Sequence, residues 1–177
     1  MLKPERARHS RSVAALAAEL CARYGVAPER GHAAGLAHDL CKELPRAVQR
    51  ELAAAYPDAA LGSSLMSDKI LHGPAAAVYL ERELGVSDRE LLDAVAHHTV
   101  GKPGMGLLAT LLYCADKLEP GRQGIDPAHR DRCLSLPPPL MLEAVVAELV
   151  SWFESTGKAV APETVLLYNS LAKSTAI

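Results

Sequence analysis

The sequence predicts an all-α fold: a single-domain helical bundle, spanning residues 1–177, built around a polar centre. Three observations carry that prediction. Apolar residues recur at three- and four-residue spacing through most of the chain, and no segment alternates as a half-buried strand would. Proline and glycine fall where such helices would begin and end. Aromatic residues make up only 4% of a chain that is 49% hydrophobic. Alanine, leucine and valine must therefore fill the core, which suits helices that approach one another closely. At 177 residues the chain is long enough for one sizeable core.

The elements follow in order. A first helix is expected over residues 5–24, stopped by Gly25, with Val13, Leu16 and Leu20 on its apolar stripe and His9 on the same face. Pro28 suits the first turn of a second helix, which carries Leu36 and Leu40 and ends between Asp39 and Lys42. Pro45 opens a short third helix to Ala55, and residues 56–68 read as a loop. Pro74, just after His72, sits at the first position of a helix reaching Leu84 and closed by Gly85. Ser87 and Glu90 form a capping-box pattern for the next helix. There Leu91, Ala94, Val95 and His98 share the inward face, and His97 falls outward with Glu90 and Asp93. A helix over 105–118 puts Asp116 on the stripe of Met105, Ala109 and Leu112. Residues 120–139 read as a Pro/Gly-rich loop, followed by helices over 140–155 and 162–173.

Charge and composition exclude several classes. The formal net charge is −2, so nothing calls for nucleic acid or an anionic membrane as partner. No apolar run approaches the ~18 residues that span a bilayer, and the charged N-terminus lacks the apolar stretch of a signal peptide. A cytoplasmic protein is expected. Cys21, Cys41, Cys114 and Cys133 contain no C-x-x-C pair, so they read as small buried hydrophobes in a reducing compartment.

The chemistry lies in the run AAGLAHDLC. Here an apolar helix ends in an imidazole and a carboxylate side by side, and a buried carboxylate is costly unless paired or bound to metal. His9, His72, His98 and Asp116 end further apolar stripes. Mixed imidazole and carboxylate donors suit borderline ions such as Fe, Mn or Zn. Six side chains exceed the needs of one four-coordinate ion, and Asp39 is placed to bridge two. An inward network of ion pairs is the alternative reading. His32, His97 and His129 read as structural or surface residues.

These residues and their surroundings resemble the HD-domain metal-dependent phosphohydrolases, and more closely the YqeK family of symmetrical bis(5'-nucleosyl)-tetraphosphatases. The matching segments are RHSRSVAALAAELCARYGV, AGLAHDLCKELP, LHGPAAAVYLERELGV, AVAHHTVGKPGM, LLYCADKLEPGR and PETVLLYNSLA. The resemblance implies that His9, His38, Asp39 and Asp116 hold one metal and that His72 and His98 join Asp39 around a second. It implies a di-iron-like centre in which Mn, Co or Zn are alternatives. It implies hydrolysis of diadenosine tetraphosphate to two ADP.

On that reading a metal-bound hydroxide attacks an inner phosphorus, with Asp39, Lys42 and Asp116 as catalytic residues. The chain is slightly acidic, so positive charge for the polyphosphate must be local. Lys42, Lys102, Lys117 and Arg122 are candidate phosphate contacts, and each also reads as a solvated surface cation. Thr99 either orients His98 or touches phosphate. The runner-up enzyme is a one-metal phosphohydrolase of nucleoside monophosphates or other phosphoesters. A nucleotide-binding module without turnover is a third reading, disfavoured because every expected ligand is present. The helix over 140–155, with Trp152 and Phe153, has the core or a second copy of the chain to pack on, so a homodimer is among the expected partners.

Overall fold

The computed structural model describes residues 3–57 and 69–174. Nine helices and no strand occur among the described residues: α1 (Pro4–Arg23), α2 (Pro28–Ala37), α3 (Arg46–Ala54), α4 (His72–Leu84), α5 (Arg89–His97), α6 (Leu107–Leu118), α7 (Pro127–Ser135), α8 (Pro138–Ser155) and α9 (Pro162–Ser174). The all-α expectation holds. Most of the loop expected over 56–68 lies outside the described residues.

Helix α6 is the central element. Leu111, Leu112, Tyr113, Cys114 and Ala115 are all fully buried, and burying each leucine contributes about 2 kcal/mol. Helices α1, α5 and α8 pack directly on α6; α2 lies along α1, α4 sits between α3 and α5, and α9 rests on α8. Close approach depends on small residues. At Gly35 a Cβ would stand 2.4 Å from the Ala14 Cα, so α2 lies against the α1 backbone. Gly73 plays the same part between α4 and α5, where a Cβ would meet the Ala96 carbonyl oxygen at 2.6 Å.

Several local expectations need correction. Helix α4 starts at His72 rather than Pro74, with Leu71 as N-cap, so the proline lies inside the first turn, where its missing N–H costs nothing. The cap of α5 is Asp88, not Ser87: its Oδ1 accepts from the Leu91 N–H at 3.1 Å, and Glu90 pairs with Arg30 instead. The 120–139 segment contains α7, started by Asp126 as N-cap and Pro127 in the first turn. Leu36 is exposed. His97 is fully buried, because Tyr56 covers the face of α5 that sequence periodicity assigned to solvent; the two rings lie 5.9 Å apart, edge to face. Helix α8 settles on the core through Met141, Leu142, Val145 and Val146.

All four cysteines are free and buried. Burial pushes the Cys41 thiol up to about 11 and the Cys114 thiol up to about 12, so neither forms a thiolate near neutral pH.

Candidate metal centre

Helices α1, α2, α4, α5 and α6 each deliver one or two polar side chains to a single point. His9 comes from the second turn of α1, His72 from the first residue of α4 and Asp116 from the last turn of α6. His38 and His98 occupy the C-cap positions of α2 and α5. There each imidazole turns back on its own helix. The Nδ1–H of His38 donates to the Gly35 carbonyl at 2.7 Å, and that of His98 to the Val95 carbonyl at 2.7 Å. Each bond satisfies a carbonyl of the last turn and leaves Nε2 as the unprotonated nitrogen aimed inward.

The inward nitrogens converge. His38 Nε2 lies 3.3 Å from His9 Nε2, and His72 Nε2 lies 3.1 Å from His98 Nε2. Asp39 stands between the two pairs. Its Oδ2 accepts from Arg6 Nη1 at 2.6 Å and lies 3.7 Å from His38 Nε2. Its Oδ1 lies 3.2 Å from His72 Nε2, 3.7 Å from His98 Nε2 and 3.3 Å from Lys42 Nζ. Asp116 Oδ1 lies 3.1 Å from His9 Nε2 and 3.8 Å from His38 Nε2. All six sequence-predicted ligands thus meet in one cluster.

The donors form two overlapping groups, His9–His38–Asp116 and His38–Asp39–His98, within each of which the ligand atoms lie no more than 4.8 Å apart. Their chemistry fits divalent metal ions. The inward imidazole nitrogens crowd together around two carboxylates, and the buried Asp39 Oδ1 receives no hydrogen bond of good geometry despite its crowded surroundings.

The electrostatics agree. Burial lowers the His38 imidazole to about 4 and also lowers His72 and His98, so these rings stay neutral. Burial alone would raise the Asp39 carboxyl, but the close approach of the His72 and His98 rings holds it far below the usual carboxylate range. Burial would likewise raise Asp116, yet the Lys117 ammonium and the His9 hydrogen bond keep it ionised. His9 is pushed up instead, chiefly by its hydrogen bond to Asp116.

The centre lies in a cleft of about 930 Å³. Among the sequence-predicted contacts, Lys42, Thr99, Lys117 and Arg122 line it. Lys42 Nζ donates to His72 Nε2 at 2.9 Å. Thr99 Oγ1 lies 3.1 Å from His98 Nε2 and 3.2 Å from His72 Nε2. Arg122 donates to the Asp116 backbone carbonyl at 2.8 Å. Lys117 is no surface cation: it is 8% exposed and binds Asp116 Oδ2 at 2.9 Å and the His98 carbonyl at 2.5 Å. Lys102 turns away, pairing with Asp93 at 2.6 Å, and is not among the residues lining the cleft.

Sequence reasoning missed Arg6 and Glu119. Arg6 stands one turn before His9 on α1, and Glu119 three residues after Asp116; each shares the face of a ligand that had been found. Glu119 Oε1 accepts from His9 Nδ1 at 3.2 Å, and its Oε2 accepts from the Gly121 N–H at 2.6 Å. Lys69 and Lys158, also missed, add positive charge to the cleft wall.

The HD domain family model matches residues 6–121, the stretch from α1 to just beyond α6 that carries every one of these ligands. The chain belongs to the HD domain family. HD domain proteins are metal-dependent phosphohydrolases, so the resemblance read from the HD pair and its flanking motifs is upheld. The chain is 30% identical over 167 residues to the symmetrical bis(5'-nucleosyl)-tetraphosphatase of Bacillus subtilis, covering 92% of this chain and 87% of that one. It is 36% identical over 129 residues to the symmetrical bis(5'-nucleosyl)-tetraphosphatase of Staphylococcus aureus, covering 71% of this chain and 65% of that one. The fold matches the crystal structure of a predicted HD superfamily hydrolase involved in NAD metabolism from Clostridium acetobutylicum, with a TM-score of 0.86 and 26% identity over 98% of this chain and 92% of that one.

Proposed function

We propose that this HD-domain hydrolase splits diadenosine tetraphosphate symmetrically. The oxygen of water bonds to one inner phosphorus, the bond from that phosphorus to the central bridging oxygen breaks, and the bridging oxygen leaves with the second ADP. The observation that carries the reading is the pairing of two donor groups with a cation-lined cleft. Arg6, Lys42, Lys69, Arg122 and Lys158 line the same cleft as the ligands in a chain whose net charge is −2. Positive charge concentrated there suits a polyanionic substrate, as does the name borne by the Bacillus and Staphylococcus relatives.

His9, His38 and Asp116 would hold one ion and His72 and His98 another, with Asp39 shared. Divalent ions in these positions, Fe on this reading with Mn, Co or Zn as alternatives, supply Lewis acidity toward phosphate oxygens and make water more acidic. The chain's own residues do the rest. Lys42 and Arg122 bind phosphate oxygens, Arg bidentately, and stabilise the charge that develops on the departing ADP. Lys117 holds the Asp116 carboxylate in place. Thr99 orients the His72–His98 pair through its hydroxyl. We further take residues 1–177 as one domain, because α8 carries the C-terminal elements back onto α6, and we take the cytoplasm as its compartment, in keeping with four free cysteines.

Product analysis tests the reaction. Protein reconstituted in turn with Fe(II), Mn(II) and Co(II) is expected to release ADP as sole product from diadenosine tetraphosphate. ATP plus AMP would overturn the inner-phosphorus register. Absence of turnover with every metal would replace the proposal by the one-metal phosphohydrolase reading.

A further inference from the structure

The cleft has two chemically different ends. One holds the ligands with Arg6, Lys42, Lys117 and Arg122 in contact with them. The other is walled by Ile70, Val100, Leu149, Phe153, Val160 and Pro162. A free phosphate gains nothing from such a wall, whereas a planar, weakly polar ring gains both burial and stacking.

Helix α8 shows that this wall is not simply the edge of the core. Its buried face is Met141, Leu142, Val145, Val146 and Val150. Leu149 and Phe153, one turn apart, are only partly buried and stand outside the core cluster, on the flank of the helix that looks into the cleft. Phe153 is the sole phenylalanine of the chain and the one Phe, Tyr or Trp among the cleft's lining residues. Its carbonyl accepts from the Lys158 N–H at 3.0 Å, which closes the turn that brings residues 158–162 back along the same wall. On its far side the Trp152 ring meets it edge to face at 5.0 Å, and Lys158 Nζ caps the Trp152 ring at 4.5 Å. The ring is thereby braced at one edge while its wall remains open to the cleft.

We propose that this end of the cleft receives a nucleobase and that Phe153 is the platform on which the base stacks. The assignment rests on the dinucleotide reading above and deepens it. One nucleoside anchored beside Phe153 would fix how far the polyphosphate reaches along the cleft, and so which phosphorus stands at the ligands.

The test compares two ligands that differ in having a base. Calorimetry on the metal-loaded full chain measures binding of ADP and of inorganic tripolyphosphate, for the wild type, Phe153→Leu and Phe153→Tyr. Leucine keeps an apolar side chain and removes the ring; tyrosine keeps the ring. Phe153→Leu is expected to weaken ADP about tenfold, the scale of one lost base stack, and to leave tripolyphosphate within about twofold. Phe153→Tyr is expected to restore ADP binding. KM for diadenosine tetraphosphate should rise with the ADP loss, and kcat should move less. Trp152, the single tryptophan, should change its fluorescence on addition of ADP and not of tripolyphosphate. Unchanged ADP binding in Phe153→Leu, or an equal loss for both ligands, would overturn the proposal. Failure of the wild type to cleave the dinucleotide would remove the reaction alone, and the two-ligand comparison would still decide the base site.

Discussion

Glu119 accepts a hydrogen bond from His9 Nδ1 at 3.2 Å, and the same ring turns its Nε2 toward Asp116 at 3.1 Å. The carboxylate fixes which nitrogen of His9 is free to bind a cation and adds electron density to it. Glu119→Gln is expected to weaken metal binding about tenfold, with turnover recovering at saturating metal. A metal titration followed by calorimetry reads the loss.

Lys117 joins α6 to the end of α5 inside the core, binding Asp116 Oδ2 and the His98 carbonyl. Lys117→Met keeps the length and apolar stem but strips both acceptors of their partner. Asp116 retains His9 and Arg122, so the expected loss is at the lower end for a broken buried pair, about 3 kcal/mol, measured by urea unfolding of the metal-free protein.

Arg122 is 39% exposed at its side chain and faces the cleft. Arg122→Ala should raise KM for diadenosine tetraphosphate about tenfold or more while metal content, measured by atomic emission, stays at the wild-type level. Loss of metal would assign the arginine to structure instead.

Gly35→Ala is expected to force α2 away from α1, since the added Cβ would lie 2.4 Å from Ala14 Cα and 2.6 Å from Ala14 N. Gly35 also offers its carbonyl to His38. Stability should fall by about 2 kcal/mol or more, with metal retention falling alongside it. Thermal unfolding with and without added metal separates the two effects.

Asp93 is expected to make the fold acid-sensitive. Burial would raise its carboxyl, but hydrogen bonds from His97 and Lys102 bring it down to about 2. A carboxylate held below its ordinary value stabilises the fold above about pH 4 and ceases to do so as pH falls through about 2. With the side chain 29% exposed, about 1–2 kcal/mol is at stake after solvent screening. Asp93→Asn should therefore be less stable than the parent at pH 6, and the gap should narrow steadily toward pH 2 in denaturant titrations.

Much of this was legible in the sequence, for identifiable reasons. Periodicity placed His98 inward because a helix face is set by local spacing, and the HD pair stood out because an apolar run rarely ends in two ionisable groups. Periodicity failed at His97, whose cover comes from Tyr56, a residue far away in the chain. The surface-cation reading of Lys117 fails for a similar reason, since whether a cation meets solvent or a buried carboxylate depends on how α5 meets α6. The missed helix α7 was announced by Asp126 and Pro127, an N-cap and a first-turn proline, but its glycine-rich approach masked the signal. Arg6 and Glu119 carry no pattern of their own; only the ligand one turn away gives them meaning.

His38 and His98 each terminate a helix, and both helices, α2 and α5, end at the centre. The last turn of a helix concentrates partial negative charge. The backbone itself therefore draws cations to this spot before any side chain is considered. Exchanging one ligand type for another would retune which ion is preferred, whereas the pull toward positive charge would persist for as long as the two helix ends stay where they are.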